Sequence, residues 1–194
     1  MFVRWVPAAL LALLLAPAGL LAQSAPVQSA PATRQTEQVA RRFYDAFSRG
    51  ELATLERLYA PEVAFQDEIF SFSEREGVMG MWAVLLPQAR VSWELLGVAG
   101  ETATVRWEAD YELFGRQVHN VITATLTVRG GQIVRHRDAF SWERWSRQAL
   151  PLGGLPTWGP AERAIKAALR AAVGYQARKA HQARPRGMTD ALGE

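Results

Sequence analysis

Hydrophobic positions recur at helical spacing in the first third of the chain and at strand spacing through the middle. Val39, Phe43, Ala46 and Phe47 fall on one helical face, and Gly50 after Arg49 supplies a stop. Leu52, Leu55 and Tyr59 predict a short second helix ending at Pro61, because proline cannot continue the hydrogen-bond ladder. Ser73 and Glu76 are spaced as a capping box, so a third helix is predicted to start there, bury Val78, Met81, Trp82 and Leu85, and stop at Pro87. Between the second and third helices Val63, Phe65 and Asp67 alternate with Ala64 and Gln66, which predicts a strand with Asp67 on its apolar side.

Beyond Pro87 the period becomes two. Val91, Trp93 and Leu95 alternate first. Ala103, Val105, Trp107, Ala109, Tyr111 and Leu113 then alternate without a break against Thr104, Arg106, Glu108, Asp110 and Glu112, the pattern of an antiparallel strand with one buried and one wet face. Gly115 turns the chain into Val118, Asn120, Ile122, Ala124, Leu126 and Val128, and Gly130-Gly131 turns it again as a tight hairpin. The last strand is predicted from Gln132 to about Trp142. Helices followed by a meander of long strands make an α+β fold, in which N-terminal helices pack on a curved antiparallel sheet and enclose an apolar cone.

On the last strand, period two puts His136 and Asp138 on the same inner face as Val134, Phe140 and Trp142, with Ile133, Arg135 and Arg137 outside. The same alternation turns Asn120 in and His119 out. Asp67, Asn120, His136 and Asp138 are therefore the polar groups expected inside, with Tyr44 at the edge of the first helix's stripe. A carboxylate among aromatic rings loses hydration, its pKa rises, and it becomes able to exchange a proton near neutrality. That makes Asp67 and Asp138 candidate acid/base groups; the alternative ties each to an arginine or a backbone donor as a structural residue. His136 and Asp138, two apart on a strand, are not expected to bond each other directly. Trp82, Trp107 and Phe140 would line the cone with Tyr44 and Asn120, or serve as core. A metal would need His136, Asp138 and a third ligand such as Asp67; neither a metal nor a cofactor is assigned, and motifs for phosphate-cradling loops, serine nucleophiles and zinc proteases are absent.

Composition narrows the class. The chain has 194 residues, 49% of them apolar, and no cysteine, which removes disulfides, thiolate metal sites and a cysteine nucleophile. Its net charge of +3 is local. Residues 159–194 hold seven basic and three acidic residues, which leaves a near-neutral body and argues against a nucleic-acid-binding domain. Arg4, the apolar run from Trp5 to Leu21 and the small residues from Ala22 onward form a signal peptide, 1–22, and predict a periplasmic or secreted protein; an uncleaved anchor is the alternative. Residues 23–35 read as a flexible linker, 36–150 as the domain, and 151–194 as a Pro/Gly turn, a C-terminal helix over Ala161 to about Ala183, and a basic tail. Ile165, Leu169, Ala172 and Val173 give that helix a narrow apolar stripe, suited to docking on the domain or, alternatively, to a membrane surface.

Three stretches carry a family likeness. Phe43-Tyr44-Asp45-Ala46-Phe47, then Leu58-Tyr59-Ala60-Pro61-Glu62-Val63-Ala64-Phe65-Gln66-Asp67, then Gly131-Gln132-Ile133-Val134-Arg135-His136-Arg137-Asp138 resemble the SnoaL-like branch of the nuclear transport factor 2-like (NTF2-like) superfamily over residues 36–150. The resemblance implies a cone-shaped α+β barrel whose relatives include polyketide cyclases, ketosteroid isomerase, limonene epoxide hydrolase and non-catalytic binding proteins. From the cyclases it implies an acid/base role for Asp138, with His136 in the same motif; from the isomerase it implies Asp67 as base and Tyr44 as oxyanion donor. The isomerase's second, acidic donor has no match, because that strand offers Asn120 and Ala124. The expected function is an exported domain that binds a small apolar molecule and uses these groups for isomerisation, cyclisation or hydrolysis. A non-catalytic binding or accessory protein of the envelope is the alternative. A homodimer through the outer sheet face, where Arg106, Glu108, Asp110 and Glu112 meet His119, Thr123 and Thr125, is a third expectation.

Overall fold

The computed structural model describes residues 29–151 and 159–182. The expected signal peptide, the linker up to residue 28, the Pro/Gly turn over 152–158 and the tail from 183 lie outside the described residues. Helix α1, Ser29–Ser48, buries Val39, Phe43, Tyr44, Ala46 and Phe47. It starts earlier than the flexible linker to residue 35 allowed: residues 29–35 are its first turns. Pro31 is tolerated there because the first N–H groups of a helix have no intrahelical acceptor. The helix stops as predicted at Gly50, whose φ of 68° lets its N–H reach the Phe47 carbonyl at 3.1 Å while the Glu51 N–H reaches the Ala46 carbonyl at 2.9 Å.

Helix α2 covers Leu52–Leu58 and stops before the expected end at Pro61, and Tyr59 opens strand β1, Tyr59–Gln66. Ala60 precedes Pro61, and the proline ring disfavours helical backbone at that residue, so the chain is extended before the proline. A two-residue strand β2, Ser71–Phe72, follows, and then helix α3, Arg75–Leu85. The expected capping box is not formed: Glu74 holds the N-cap position in extended conformation and no side chain caps the helix, because Ser73 falls one residue outside it. Strands β3, Ala89–Ala99, β4, Thr102–Leu113, β5, Arg116–Arg129, and β6, Gln132–Ala139, complete the sheet, and the Gly130-Gly131 hairpin has both residues at positive φ, 56° and 80°.

The sheet order is β2-β1-β6-β5-β4-β3. Every pair is antiparallel except β1 with β6, which corrects the wholly antiparallel expectation. Strands joined by hairpins must run antiparallel, whereas β1 and β6 are separated by most of the domain and are free to align. A bulge in β6 makes a second correction. Val128 pairs with Ile133 and Thr127 with Arg135, so Val134 is the extra residue. Ile133 is consequently buried and Val134 half-buried, the reverse of strict alternation, while His136 and Asp138 keep their inward side. Trp142 belongs to a helix that periodicity had read as strand: α4, Trp142–Ala149, capped by Ser141, whose Oγ accepts the Arg144 N–H at 3.2 Å. Helix α5, Pro160–Gln182, packs on α3, and no described helix is long and apolar enough to cross a membrane.

Candidate acid/base site

β6 carries His136 and Asp138 into the cone, where they are 1% and 3% exposed. Residues two apart on one strand lie about 6.6 Å apart along it, a gap that an imidazole and a carboxylate can close. They do so here: His136 Nε2 is 3.0 Å from Asp138 Oδ1, which overturns the expectation that the two would not bond. Trp107 from β4 donates its indole N–H to the same oxygen at 3.2 Å. Among the described residues Asp138 Oδ2 takes no hydrogen bond, so one oxygen is anchored and the other is left as a proton-accepting position.

The other ring nitrogen explains the orientation of the histidine. His136 Nδ1 is 2.6 Å from the hydroxyl of Tyr59, and that hydroxyl oxygen accepts the Trp82 indole N–H at 3.2 Å. Burial raises the Tyr59 pKa well above that of a free phenol, so its proton is in place to be donated. An indole N–H can only donate, and the buried Tyr59 proton finds its acceptor in Nδ1. With Nδ1 accepting, Nε2 is the ring nitrogen that donates, directed at Asp138. A one-way chain results, from Trp82 through Tyr59 and His136 to Asp138, with Trp107 joining at its end. The Tyr44 hydroxyl lies 3.5 Å from Nε2, and burial followed by the Asp138 charge raises its pKa as well. The rings of Phe43 and Phe65 stand edge-on to the imidazole, 5.5 and 5.2 Å between centroids, and fix its plane.

Asp67 sits just past the end of β1 rather than within it, half-buried. Its Oδ1 accepts the Ile69 and Phe70 N–H groups at 2.6 and 2.5 Å, which ties a tight turn. Desolvation pushes its pKa up to about 7 against the opposing pull of those two bonds, and the Asp138 charge adds to the rise. Tyr111 on β4 feels the Asp67 charge too; burial chiefly sets its pKa at about 12, and its oxygen accepts the Trp145 indole N–H at 2.5 Å.

Of the residues expected at the site, Tyr44, Trp82, Trp107, His136 and Asp138 are thus brought together, and Asp67 lies at the rim. Asn120 and Phe140 are not in the cluster. Asn120 stands four residues along β5 from Ala124, the partner of Asp138, roughly 13 Å away, and Phe140 leans on Trp145. Tyr59 was missed because it completed a helical stripe; its place directly before Ala60-Pro61 was the available signal. Side chains fill the cone around the cluster, and open clefts lie elsewhere, one on α1 and α2 beside Arg42 and Asp45 and one on α4 beside Arg144. The described residues contain no group of three side chains suited to a metal.

The family model for SnoaL-like domains matches residues 40–136. No curated protein matches the chain. Among solved structures, a candidate polyketide cyclase from Xanthomonas campestris is similar at 17% identity and a TM-score of 0.54, with 61% of this chain and 98% of that one covered. An NTF2-like protein from Burkholderia xenovorans gives 16% identity, a TM-score of 0.53 and the same coverage. An epoxide hydrolase from M. tuberculosis gives 11% and 0.50, over 58% of this chain and 87% of that one. Such identities report a shared fold, and 367 matching chains make it a common one that fixes no reaction.

Proposed function

Since this chain belongs to the SnoaL-like family, we propose that it binds a small apolar molecule in its cone and moves a proton on it with Asp138, in an isomerisation, cyclisation or hydrolysis. The observation that carries this reading is the half-used carboxylate: Oδ1 is held by two N–H donors, and Oδ2 has no partner. An anchored carboxylate in an apolar setting can accept a proton from carbon or oxygen without first reorganising water. His136 and Trp107 steady the charge on Oδ1 before transfer, and Tyr59 keeps His136 in the tautomer that donates. Asp67, poised to titrate near neutrality, is the second acid/base group, and Tyr44 is a buried hydroxyl close enough to take part. Export of the mature chain belongs to the same proposal, on the signal-like pattern of residues 1–22.

Asp138→Asn tests it, because the amide oxygen can replace Oδ1 and keep both donors satisfied while Oδ2 loses its basicity. Against a panel of small epoxides, β-dicarbonyl compounds and unsaturated ketones, turnover is expected to fall by about 10²-fold or more, with the melting temperature little changed. Undiminished turnover in the variant would exclude Asp138 as the acid/base. One observation favours a second reading, a non-catalytic binding or accessory protein: the cone is packed with buried rings, and its polar chain is satisfied by its own members as far as Asp138 Oδ1. On that reading the wild-type protein turns over no member of the panel and the substitution acts on stability alone.

A further inference from the structure

Helix α5 lies over the Asp67 end of the cone, and its way of docking differs from that of the other helices. Three contacts define its course. Ala177 approaches Gly80 of α3 so closely that a Cβ built on the glycine would be 3.2 Å from the alanine Cβ. Arg170 donates to the Ile69 carbonyl at 3.0 Å, on the same turn whose N–H groups are bound by Asp67. Lys166, paired with Glu162 at 2.7 Å, rests its ammonium 4.6 Å from the centre of the Trp142 ring of α4. Eleven residues of helix separate the first and last of these points, about 16 Å, so α5 bridges α3 and α4 across the Asp67 turn.

The attachment is light. Ile165, Leu169 and Val173 meet the core only half-buried, and from Pro160 to Lys179 no residue of the helix is fully buried. Beneath it the Trp142 indole N–H is buried with no hydrogen-bond partner among the described residues, an unfavourable state for a polar group. Weak apolar burial and an unsatisfied donor under the seam both favour opening, while the glycine at position 80 preserves a surface shaped to receive the helix again.

We propose that α5 is a lid. It lifts from α3 and α4 as a unit, uncovers the Asp67 turn and the adjoining rim, and recloses through the Ala177–Gly80 and Lys166–Trp142 contacts. The inference rests on the proposed reading that a ligand reaches these carboxylates from outside, and it supplies the entry that the packed cone lacks.

The chain has no cysteine, so a single engineered pair is free of competition. Gly80→Cys with Ala177→Cys places two Cβ atoms near disulfide distance and gives one molecule in a locked and a free state. Amide hydrogen exchange at Ile69 and Phe70, whose N–H groups bond Asp67, is compared in the two states at constant pH. Exchange is expected to be at least about tenfold slower in the oxidised protein and to return to the wild-type rate on reduction. Arg170→Ala combined with Lys166→Ala, in the cysteine-free chain, is expected to accelerate it. Equal rates in the oxidised and reduced states, or a pair that does not oxidise in the folded protein, would overturn the lid. No substrate enters this measurement, so a lid that fails leaves the Asp138 test untouched, and loss of the Asp138 role leaves the exchange result standing.

Discussion

The charged form of Asp67 is disfavoured in the folded protein, because burial strips its carboxylate of water. Its carboxyl is raised from 3.8 to about 7, so the folded protein holds a proton that the unfolded chain has released anywhere between these values. Stability from this group is therefore fully present below about pH 4 and is lost as pH rises through about 7, by at most about 4 kcal/mol. Asp67→Asn keeps an oxygen for the Ile69 and Phe70 N–H groups and cannot ionise. It should raise the urea midpoint at pH 8, leave it unchanged at pH 4, and flatten the slope between; a variant no more stable than wild type at pH 8 would refute the desolvation argument. At this scale the sequence was informative where side-chain direction was enough. Period two placed His136 and Asp138 inward, because both lie beyond the bulge at Val134. It failed where direction does not determine contact: the 3.0 Å bond between them and the 2.6 Å bond to Tyr59 depend on how far each side chain reaches.

Among the elements, α4 shows how a missed helix completes a sheet. β5 outruns β6, whose pairing with it stops at Thr123, so the backbone of His119 has no strand on that side. The side-chain amide of Gln148 serves instead: its Oε1 accepts the His119 N–H at 2.9 Å and its Nε2 donates to the His119 carbonyl at 3.1 Å. Arg116 fixes the same turn by donating to the Gln148 carbonyl at 2.6 Å. Removing the amide with Gln148→Ala should cost about 1–2 kcal/mol, because both backbone groups are partly buried and only partly recovered by water. For a chain of this size that corresponds to a drop of roughly 3–6 °C in melting temperature by circular dichroism; a shift under about 1 °C would mean that water replaces the clamp in full. The helix was legible in principle. Ser141 offers a cap, and Trp142, Trp145 and Ala149 recur at helical spacing, but Phe140 and Trp142 also continue the strand alternation, and over so short a run the two periods compete. Helices with a unique period and hairpins with paired glycines, such as α1 and the β5–β6 turn, came through because nothing competed with them.

Across the whole molecule, charge and hydrophobicity divide the chain into parts with different tasks. The family-matched segment 40–136 lies within a near-neutral body, and the excess positive charge follows it in the last 36 residues. Fold class was legible at this scale because element order alone separates α+β from the alternatives; the reaction was not, since a fold this adaptable leaves substrate choice to side-chain details of one cavity. The proposed export rests on the signal-like pattern of the first 22 residues; the first described element, α1, begins at Ser29, with six residues between it and the proposed cleavage point after Ala22. The full chain expressed in a bacterial host should therefore yield a periplasmic or secreted product whose intact mass starts at Gln23 and whose melting temperature equals that of a chain made without the first 22 residues. Recovery of the full-length mass in the membrane pellet would instead identify residues 1–22 as an anchor, which would hold the cone near a membrane surface, where apolar ligands partition.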